Sequence, residues 1–291
     1  MFKYFQHIEI FDKQIKITEI TVKELKVLLK YLLSITTAHN IVIDAFTELF
    51  LQKTDLSRED IDSFNFIEFF LLLFHLKCIG SSSVIKVETT VNDKKASFNL
   101  NIKTFIERLN AIDVKELVLQ DRLKNGIVVE YTLPSIKEVF EHDVHNLPCC
   151  FIKSISMPDT ETIHVKHFTS NEKKLIYNSL PIHIALAIKA RANQVVNYFN
   201  EINFLDYLWE DSVNLLFNFN KTNLILLIKL LFNDNLLTLL ENQFMLARHG
   251  NMSIDYIENC TPGEYVFYIE FLNRALNPKK TSTGNQFDDE M

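Results

Sequence analysis

Glycine is scarce in this chain, at 5 of 291 residues. Phosphate-binding loops need glycine for tight backbone turns, and neither GxGxxG nor GxxxxGK[ST] occurs in the sequence. The GxSxG nucleophile elbow of hydrolases is also missing. Short acidic pairs such as Glu59-Asp60 are more typical of helix ends, where a carboxylate offsets the helix dipole. These patterns predict that the protein is not an enzyme.

Excess positive charge is missing as well. The formal net charge is −7 and the isoelectric point is near 5.7, so the general basic surface typical of nucleic-acid-binding proteins is not expected. The longest apolar runs are 66–76 and 224–232, and charged or polar residues interrupt both. Each is well short of the ~20 residues that span a bilayer. We therefore expect neither nucleic acid nor a membrane as a partner.

The four cysteines are too few and too scattered for a disulfide scaffold: Cys78, Cys149, Cys150 and Cys260. The N-terminal stretch FKYFQHIEIF carries charges inside its apolar residues, unlike a secretory signal peptide. Both features predict free, mostly buried thiols in a reducing cytoplasm.

One group of residues has the character of metal ligands: His142-x2-His145-x3-Cys149-Cys150, followed by His164-x2-His167. Imidazoles and thiolates suit tetrahedral zinc. However, adjacent cysteines rarely bind one ion, Pro148 stiffens the approach, and the spacing matches no common zinc template. We therefore expect no metal and no cofactor, with the thiols buried as small apolar groups and the histidines on loops. A zinc-binding protein built on residues 142–167 is kept as an alternative function.

Local patterns in the first half predict mixed helices and antiparallel strands. Alternating apolar residues predict a strand pair over 5–17, and Thr21-x-x-Glu24 is a capping box that opens a helix. A second helix is predicted over about 39–52. Asp62-Ser63 is expected to cap a helix that is apolar on nearly every side and therefore buried.

Strands are expected to dominate after Gly80. Period-two patterns predict a hairpin over 84–102, strands at 117–119 and 127–131, and a further pair at 151–152 and 163–165. A helix is predicted to start after Ser135, the first residue of a capping box, and to run through Phe140.

Beyond Thr169 the patterns are helical, at about 170–179, 182–201, 221–232 and 236–248, with a possible edge strand at 213–219. The fold class expected is therefore α+β, with an N-terminal part of helices and antiparallel strands followed by a mostly helical C-terminal part. The predicted divisions are an α+β domain over 1–165, a mostly helical domain over 166–276, and a disordered acidic tail over 277–291.

The segment 241–276 predicts a compact closing module of helices. Gly250 is expected to end one helix with a positive φ, and Thr261-Pro262-Gly263-Glu264 to start the last one. The aromatic, Met and Leu side chains of this module are candidate partner-binding residues, because such side chains often anchor interfaces: Phe244, Met245, Tyr265, Tyr268, Phe271 and Leu272. The alternative is that they only pack the module onto helix 223–232.

Four segments carry a family resemblance: VKELKVLLKYLL (22–33), FNFIEFFLLLFHLKCIGSSSVIKV (64–87), VVEYTLPSIKEV (128–139) and ENQFMLARHGNMSIDYIENCTPGEYVFYIEFL (241–272). With these segments the chain resembles the baseplate-hub assembly proteins of large contractile-tailed bacteriophages over most of residues 5–276. Some members carry a CxxC-like pair after the central helix. The corresponding hairpin here, VETTVNDKKASFNLNI, has no cysteine, so a metal knuckle is not carried over.

The resemblance implies a non-enzymatic late protein of the host cytoplasm. It would be a chaperone for formation of the baseplate central hub, and it would bind hub or tape-measure subunits until the hub closes. Such a chaperone could leave before maturation or be retained in the virion baseplate. A permanent structural subunit of the baseplate hub is the alternative that the same resemblance allows.

Overall fold

The computed structural model describes residues 4–33, 39–79, 83–91, 94–142, 146–158, 161–201 and 221–277. Helices predominate, and the strands form small antiparallel sheets concentrated in the first 156 residues. The α+β fold class, with a mixed N-terminal part and a helical C-terminal part, is confirmed. None of the described helices is both long enough and apolar enough to cross a membrane.

The chain begins with the predicted hairpin, formed by β1 (Phe5–Ile10) and β2 (Lys13–Thr18). Ile8 lies opposite Ile15 in the antiparallel register, and both are buried. The turn places Phe11 at φ 52°, a left-handed conformation that an aromatic residue seldom adopts. The alternating apolar residues of the sequence thus face the core on one side of the hairpin.

The first two helices are α1 (Val22–Leu33) and α2 (His39–Lys53). The capping box forms as predicted, since the Thr21 backbone N–H donates to Glu24 Oε2 at 2.7 Å and the Glu24 N–H donates to Thr21 Oγ1 at 3.3 Å. Glu24 also forms an ion pair with the buried Lys53, at 2.6 Å. This contact ties the end of α2 to the start of α1.

The central helix is α4 (Phe66–Cys78), preceded by the short α3 (Arg58–Ser63). The predicted cap at Asp62-Ser63 is wrong, because those residues finish α3. Asn65 is the cap of α4: its side chain accepts hydrogen bonds from the N–H groups of Ile67 and Glu68. The predicted burial of this helix is confirmed.

The second hairpin consists of β3 (Val84–Val91) and β4 (Lys94–Asn101), as predicted. Two short helices follow, α5 (Ile102–Asn110) and α6 (Val114–Leu117). The strand predicted at 117–119 is therefore wrong. Asp113 caps α6 through hydrogen bonds to two backbone N–H groups, so a local helical turn replaces the expected strand.

A three-stranded antiparallel sheet has the order β5 (Asp121–Arg122), β6 (Val128–Tyr131) and β7 (Ile152–Ser156). Between β6 and β7 lie α7 (Ile136–Glu141), with its predicted capping box, and a 3-10 helix, Leu147–Phe151. The expected strand at 163–165 is reduced to one bridge between Ile155 and Ile163, and Val165–His167 is a second 3-10 helix.

The C-terminal part consists of helices close to those predicted: α8 (Ser170–Ser179), α9 (Ile182–Glu201), α10 (Lys221–Leu231), α11 (Leu236–His249), α12 (Ile254–Asn259) and α13 (Pro262–Leu276). The predicted edge strand at 213–219 and the predicted tail beyond Asn277 lie outside the described residues. Gly250 has φ −86°, so its predicted positive φ is wrong. Asn251 takes the left-handed conformation instead, at φ 52°.

Aromatic rings connect the N-terminal and C-terminal parts. The rings of Phe66 in α4 and Phe199 in α9 are 4.9 Å apart, and those of Phe46 in α2 and Phe232 are 5.4 Å apart. Buried residues from α1 to α13 form one continuous hydrophobic cluster around α4. The predicted division of the chain at residue 165 stays a prediction.

Candidate partner-binding surface

The closing module, α11 to α13, is held against α1 by polar contacts on its inner side. Lys26 Nζ in α1 donates to Gln243 Oε1 of α11 at 3.0 Å and forms an ion pair with Glu258 of α12. The Val22 backbone N–H donates to the Cys260 carbonyl oxygen at 2.9 Å. Because these contacts are made to the first turns of α1, the module has a defined inner side and a defined outer side.

The helix ends of the module are capped. Thr261 and Glu264 form the predicted capping box with Pro262 in the first turn of α13, and Ser253 and Asn235 cap α12 and α11. The capping side chains accept hydrogen bonds from N–H groups of the first turn, which have no partner within the helix, and this limits fraying of the helix ends. The side chains of the module are therefore presented from ordered helices.

The six predicted partner-binding residues divide by exposure. Phe244 and Phe271 are 59% and 66% exposed. Met245 and Tyr268 are partly buried against the core. Tyr265 and Leu272 are only 6% and 8% exposed, so we assign these two side chains to packing rather than to partner contact.

Tyr265 shows how the inner side of α13 is attached. Its hydroxyl donates to the Leu239 carbonyl oxygen of α11 at 2.6 Å, and burial raises the pKa of Tyr265 to about 12. The hydroxyl of Tyr268 is 3.0 Å from that of Tyr256, and this hydrogen bond raises the pKa of Tyr268 to about 12. The two tyrosines thus link α13 to its two neighbouring helices.

Further apolar side chains of α11 and α13 are exposed, although they were not among the predicted partner-binding residues. We give the name outer apolar surface to six of the exposed apolar side chains of these two helices: Leu237, Leu240 and Phe244 on α11, and Val266, Phe267 and Phe271 on α13. Leu237, Leu240 and Phe244 have the i, i+3, i+7 spacing of one helix face. That spacing could have identified them, but α11 has a second apolar face through Leu239 and Leu246, and only packing shows which one is buried.

A groove of about 910 Å³ lies beside the module, between α1, α2 and the start of α13. The exposed Val27 and Tyr31 of α1 contribute apolar surface to it, and Lys23, Glu48 and Glu264 contribute charge. Burial in this groove raises the pKa of Glu19. Charged and apolar residues both line the groove, and we treat it as a feature separate from the outer apolar surface.

Of the six candidate metal ligands, the structure brings three together: His142, Cys149 and Cys150. Their ligand atoms lie within 4.8 Å of one another and all three residues are buried. His164 and His167 are exposed and lie outside this group, and His145 is outside the described residues. The expectation that the histidines lie on loops thus holds for His164, but His142 ends α7 and faces the thiols.

The two thiols of this group lie 3.7 Å apart and share a hydrogen bond. That hydrogen bond lowers the pKa of Cys149 and raises the pKa of Cys150, and burial raises the pKa of Cys150 further. Both thiols are free, as are Cys78 and Cys260. The pair lies in the 3-10 helix before β7, so the predicted small apolar groups belong to a helical turn that precedes the strand.

Comparison with curated proteins and with solved structures gives no match. A family model, described as T4 bacteriophage base plate protein, matches residues 1–200. The matched region runs from the first hairpin to the end of α9 and covers more than two thirds of the chain. The chain therefore belongs to the T4 bacteriophage base plate protein family.

Proposed function

We propose that this protein is a non-enzymatic assembly factor of the phage baseplate, a chaperone for formation of the central hub. It binds hub or tape-measure subunits through the outer apolar surface of α11 and α13. The observation that carries the proposal is the exposure of large apolar side chains on these two capped helices, six of which make up the outer apolar surface. Apolar side chains gathered in this way on helix faces are typical of protein-binding surfaces.

The chemistry of the surface fits a helical partner. Phe244, Phe267 and Phe271 offer aromatic area, which contributes strongly to binding when it is covered. Arg248 lies 5.9 Å from the centre of the Phe244 ring, so a cation is available at the edge of the apolar stripe. An amphipathic helix could cover such a stripe with its own apolar face. The net charge of −7 would keep the complex soluble while the apolar faces are covered.

The position of this surface in the chain also supports a role in partner choice. The family match ends at residue 200, and α11 and α13 follow it. The region shared with the family would then supply the scaffold, including the α1 face on which the module rests. The helices beyond the match would select the subunit that is bound. We place this activity in the host cytoplasm, late in infection.

Capture from infected cells tests the proposal. The tagged chain and the double variant Phe267→Ser/Phe271→Ser are expressed during infection, and the recovered hub and tape-measure subunits are quantified by mass spectrometry. We expect recovery to fall about tenfold or more in the double variant, a change of about 1.4 kcal/mol in binding free energy. The matched control is Leu175→Ser on α8, where an equally exposed apolar residue lies outside the surface.

Two outcomes would overturn the proposal. One is recovery of neither hub nor tape-measure subunits with the unaltered chain. The other is full recovery with a double variant whose melting temperature is unchanged, because the interface would then lie elsewhere. Mass spectrometry of mature particles separates the chaperone from a permanent subunit. A chain present in every purified particle at a fixed ratio to hub proteins would identify a structural component.

A further inference from the structure

We propose that His142, Cys149 and Cys150 form a zinc(II) site that joins the end of α7 to the 3-10 helix before β7. The site is distinct from the outer apolar surface and does not depend on the proposed function. Its three ligands are one imidazole and two thiols, a donor set that zinc prefers over harder oxygen ligands.

The separation of the two sulfurs carries the inference. A tetrahedral zinc ion with zinc–sulfur bonds of about 2.3 Å places its two sulfur ligands about 3.8 Å apart. The Sγ atoms of Cys149 and Cys150 are 3.7 Å apart. A disulfide would need about 2.0 Å between them. Adjacent cysteines rarely meet this condition, but here the two side chains converge.

The third ligand is the imidazole of His142. The ligand atoms of all three residues lie within 4.8 Å of one another, and a zinc ion would need about 3.6 Å between each sulfur and the imidazole nitrogen. On binding, the His142 side chain would have to move toward the sulfurs by up to about 1.2 Å. The chain thus offers three ligands in place, and a water molecule would occupy the fourth position of the tetrahedron.

Packing holds the ligands in this arrangement. His142 is the C-cap residue of α7, and its backbone N–H donates to the Glu138 carbonyl oxygen at 3.1 Å. Pro148 lies in the first turn of the 3-10 helix that carries both cysteines, and α8 and α9 pack against that helix. All five residues of the 3-10 helix, 147–151, are buried. Preorganised ligands lose little conformational entropy when an ion binds.

The charges of the site balance when zinc is bound. Two thiolates and a neutral imidazole bring two negative charges, which one zinc(II) ion cancels. The nearest charged pair is also neutral, because Lys173 Nζ lies 2.6 Å from Glu138 Oε1 and both side chains are mostly buried. Zinc would therefore leave no net charge in a buried region, where an unpaired charge is costly. Binding releases the two thiol protons to solvent.

The first test is metal content. The full chain is purified after expression in zinc-supplemented medium, and zinc is measured by elemental mass spectrometry. We expect close to one ion per chain, and loss of that ion in Cys150→Ser and in His142→Ala. Cys260→Ser is the matched control, since Cys260 is another buried free thiol and lies outside the cluster. Zinc retained by the two ligand variants as well as by the control would overturn the proposal.

A second measurement needs no variant and covers the case in which the substitutions prevent folding. The unaltered protein is treated with a strong zinc chelator under reducing conditions, and cobalt(II) is then added. A thiolate-to-cobalt absorption band and a melting temperature lowered by the chelator are expected. Absence of both, in protein whose four thiols titrate as free, would show that the 3.7 Å separation is only a thiol–thiol hydrogen bond.

Discussion

Helices α4 and α13 both carry large apolar side chains, but α4 is the more apolar of the two and their surroundings differ. α4 buries nine of its residues: Phe66, Ile67, Phe69, Phe70, Leu71, Leu72, Leu73, Phe74 and Leu76. α13 buries Tyr265 and Leu272, while Phe267 and Phe271 face solvent. An apolar helix can therefore be buried. The neighbouring elements decide whether it is buried within the chain or stays exposed and available to a partner.

The neighbours of the two helices explain the contrast. α4 is packed by β1, α5 and α7, and its aromatic rings meet those of other elements, such as Phe74 with Phe105 at 5.4 Å. α13 packs on α1 and α11 and contacts α12 through Tyr268, while Phe267 and Phe271 stay exposed. The comparison predicts that substitutions in α4 lower stability most and that substitutions on the inner side of α13 lower it less. Substitutions on the outer side of α13 should affect only partner binding.

The largest effect is expected for Leu72→Ala in α4. The side chain is fully buried, and its truncation removes apolar contacts and leaves a cavity, at a cost of about 2–5 kcal/mol in the free energy of unfolding. Denaturant unfolding measures the change. The control is Leu175→Ala, the same substitution at an exposed position, which is expected to cost less than about 0.5 kcal/mol. Equal stability of the two variants would show that Leu72 does not contribute to the core.

A pH effect of nearly that size is expected from His75, also in α4. Burial lowers the pKa of His75 to about 4, and its Nε2 atom has no hydrogen-bond partner among the described residues. The unfolded chain, with a histidine pKa near 6.5, binds the proton more readily than the folded protein does. The contribution of His75 to the free energy of unfolding is therefore complete above about pH 6.5. It decreases by roughly 3 kcal/mol as the pH falls toward 4.

Unfolding of the parent and of His75→Gln at pH 7 and pH 4.5 measures this contribution. The variant should lose less stability between the two pH values than the parent does. His183→Gln, at an exposed position of α9, serves as the control and should follow the parent. If His75→Gln and the parent lose stability equally, the imidazole is accessible to protons in the folded protein.

An intermediate effect is expected for Tyr265→Phe on the inner side of α13. The substitution removes the hydroxyl that donates to the Leu239 carbonyl oxygen while keeping the ring, so the cost should be about 1 kcal/mol. Thermal unfolding measures it, and Tyr4→Phe, at a mostly exposed side chain outside the module, is the control. A cost near zero would show that water replaces the hydroxyl, and that α13 is held by packing alone.

The smallest effect on stability is expected for Phe271→Ser on the outer side of α13. The side chain is mostly exposed, so the free energy of unfolding should change by less than about 0.5 kcal/mol. Recovery of hub or tape-measure subunits should fall in the same variant. A large loss of stability would place Phe271 in the core and would end the contrast between the two sides of the helix.

Local signals in the sequence predicted much of the fold. Capping boxes at Thr21, Ser135 and Thr261 all form, because the box needs only residues three apart. The hairpins at 5–18 and 84–101 follow from alternation within one short segment. The strand predicted at 117–119 failed because three apolar residues suit a strand or a helical turn equally, and the Asp113 cap decided for the turn.

The candidate site was less predictable than the fold. The sequence identified the closing module and its aromatic residues, since helix starts and stops are encoded locally. It did not separate Phe271 from Tyr265, because both lie on an amphipathic helix and only the position of α11 shows which is covered. From the sequence alone, adjacent cysteines are poor candidates for metal ligands. The packing of the 3-10 helix places their two sulfurs 3.7 Å from each other, which no local pattern predicts.

What the sequence by itself determined is the set of short-range choices: capped helices, two hairpins, a central apolar helix and an acidic chain without phosphate-binding loops. Each depends on residues within one or two turns, so local hydrogen bonding and periodicity decide it. The tertiary structure alone decided which apolar faces are buried and which polar groups converge. Those outcomes depend on contacts between distant residues, such as Lys26 of α1 with Gln243 of α11, and no local pattern encodes them.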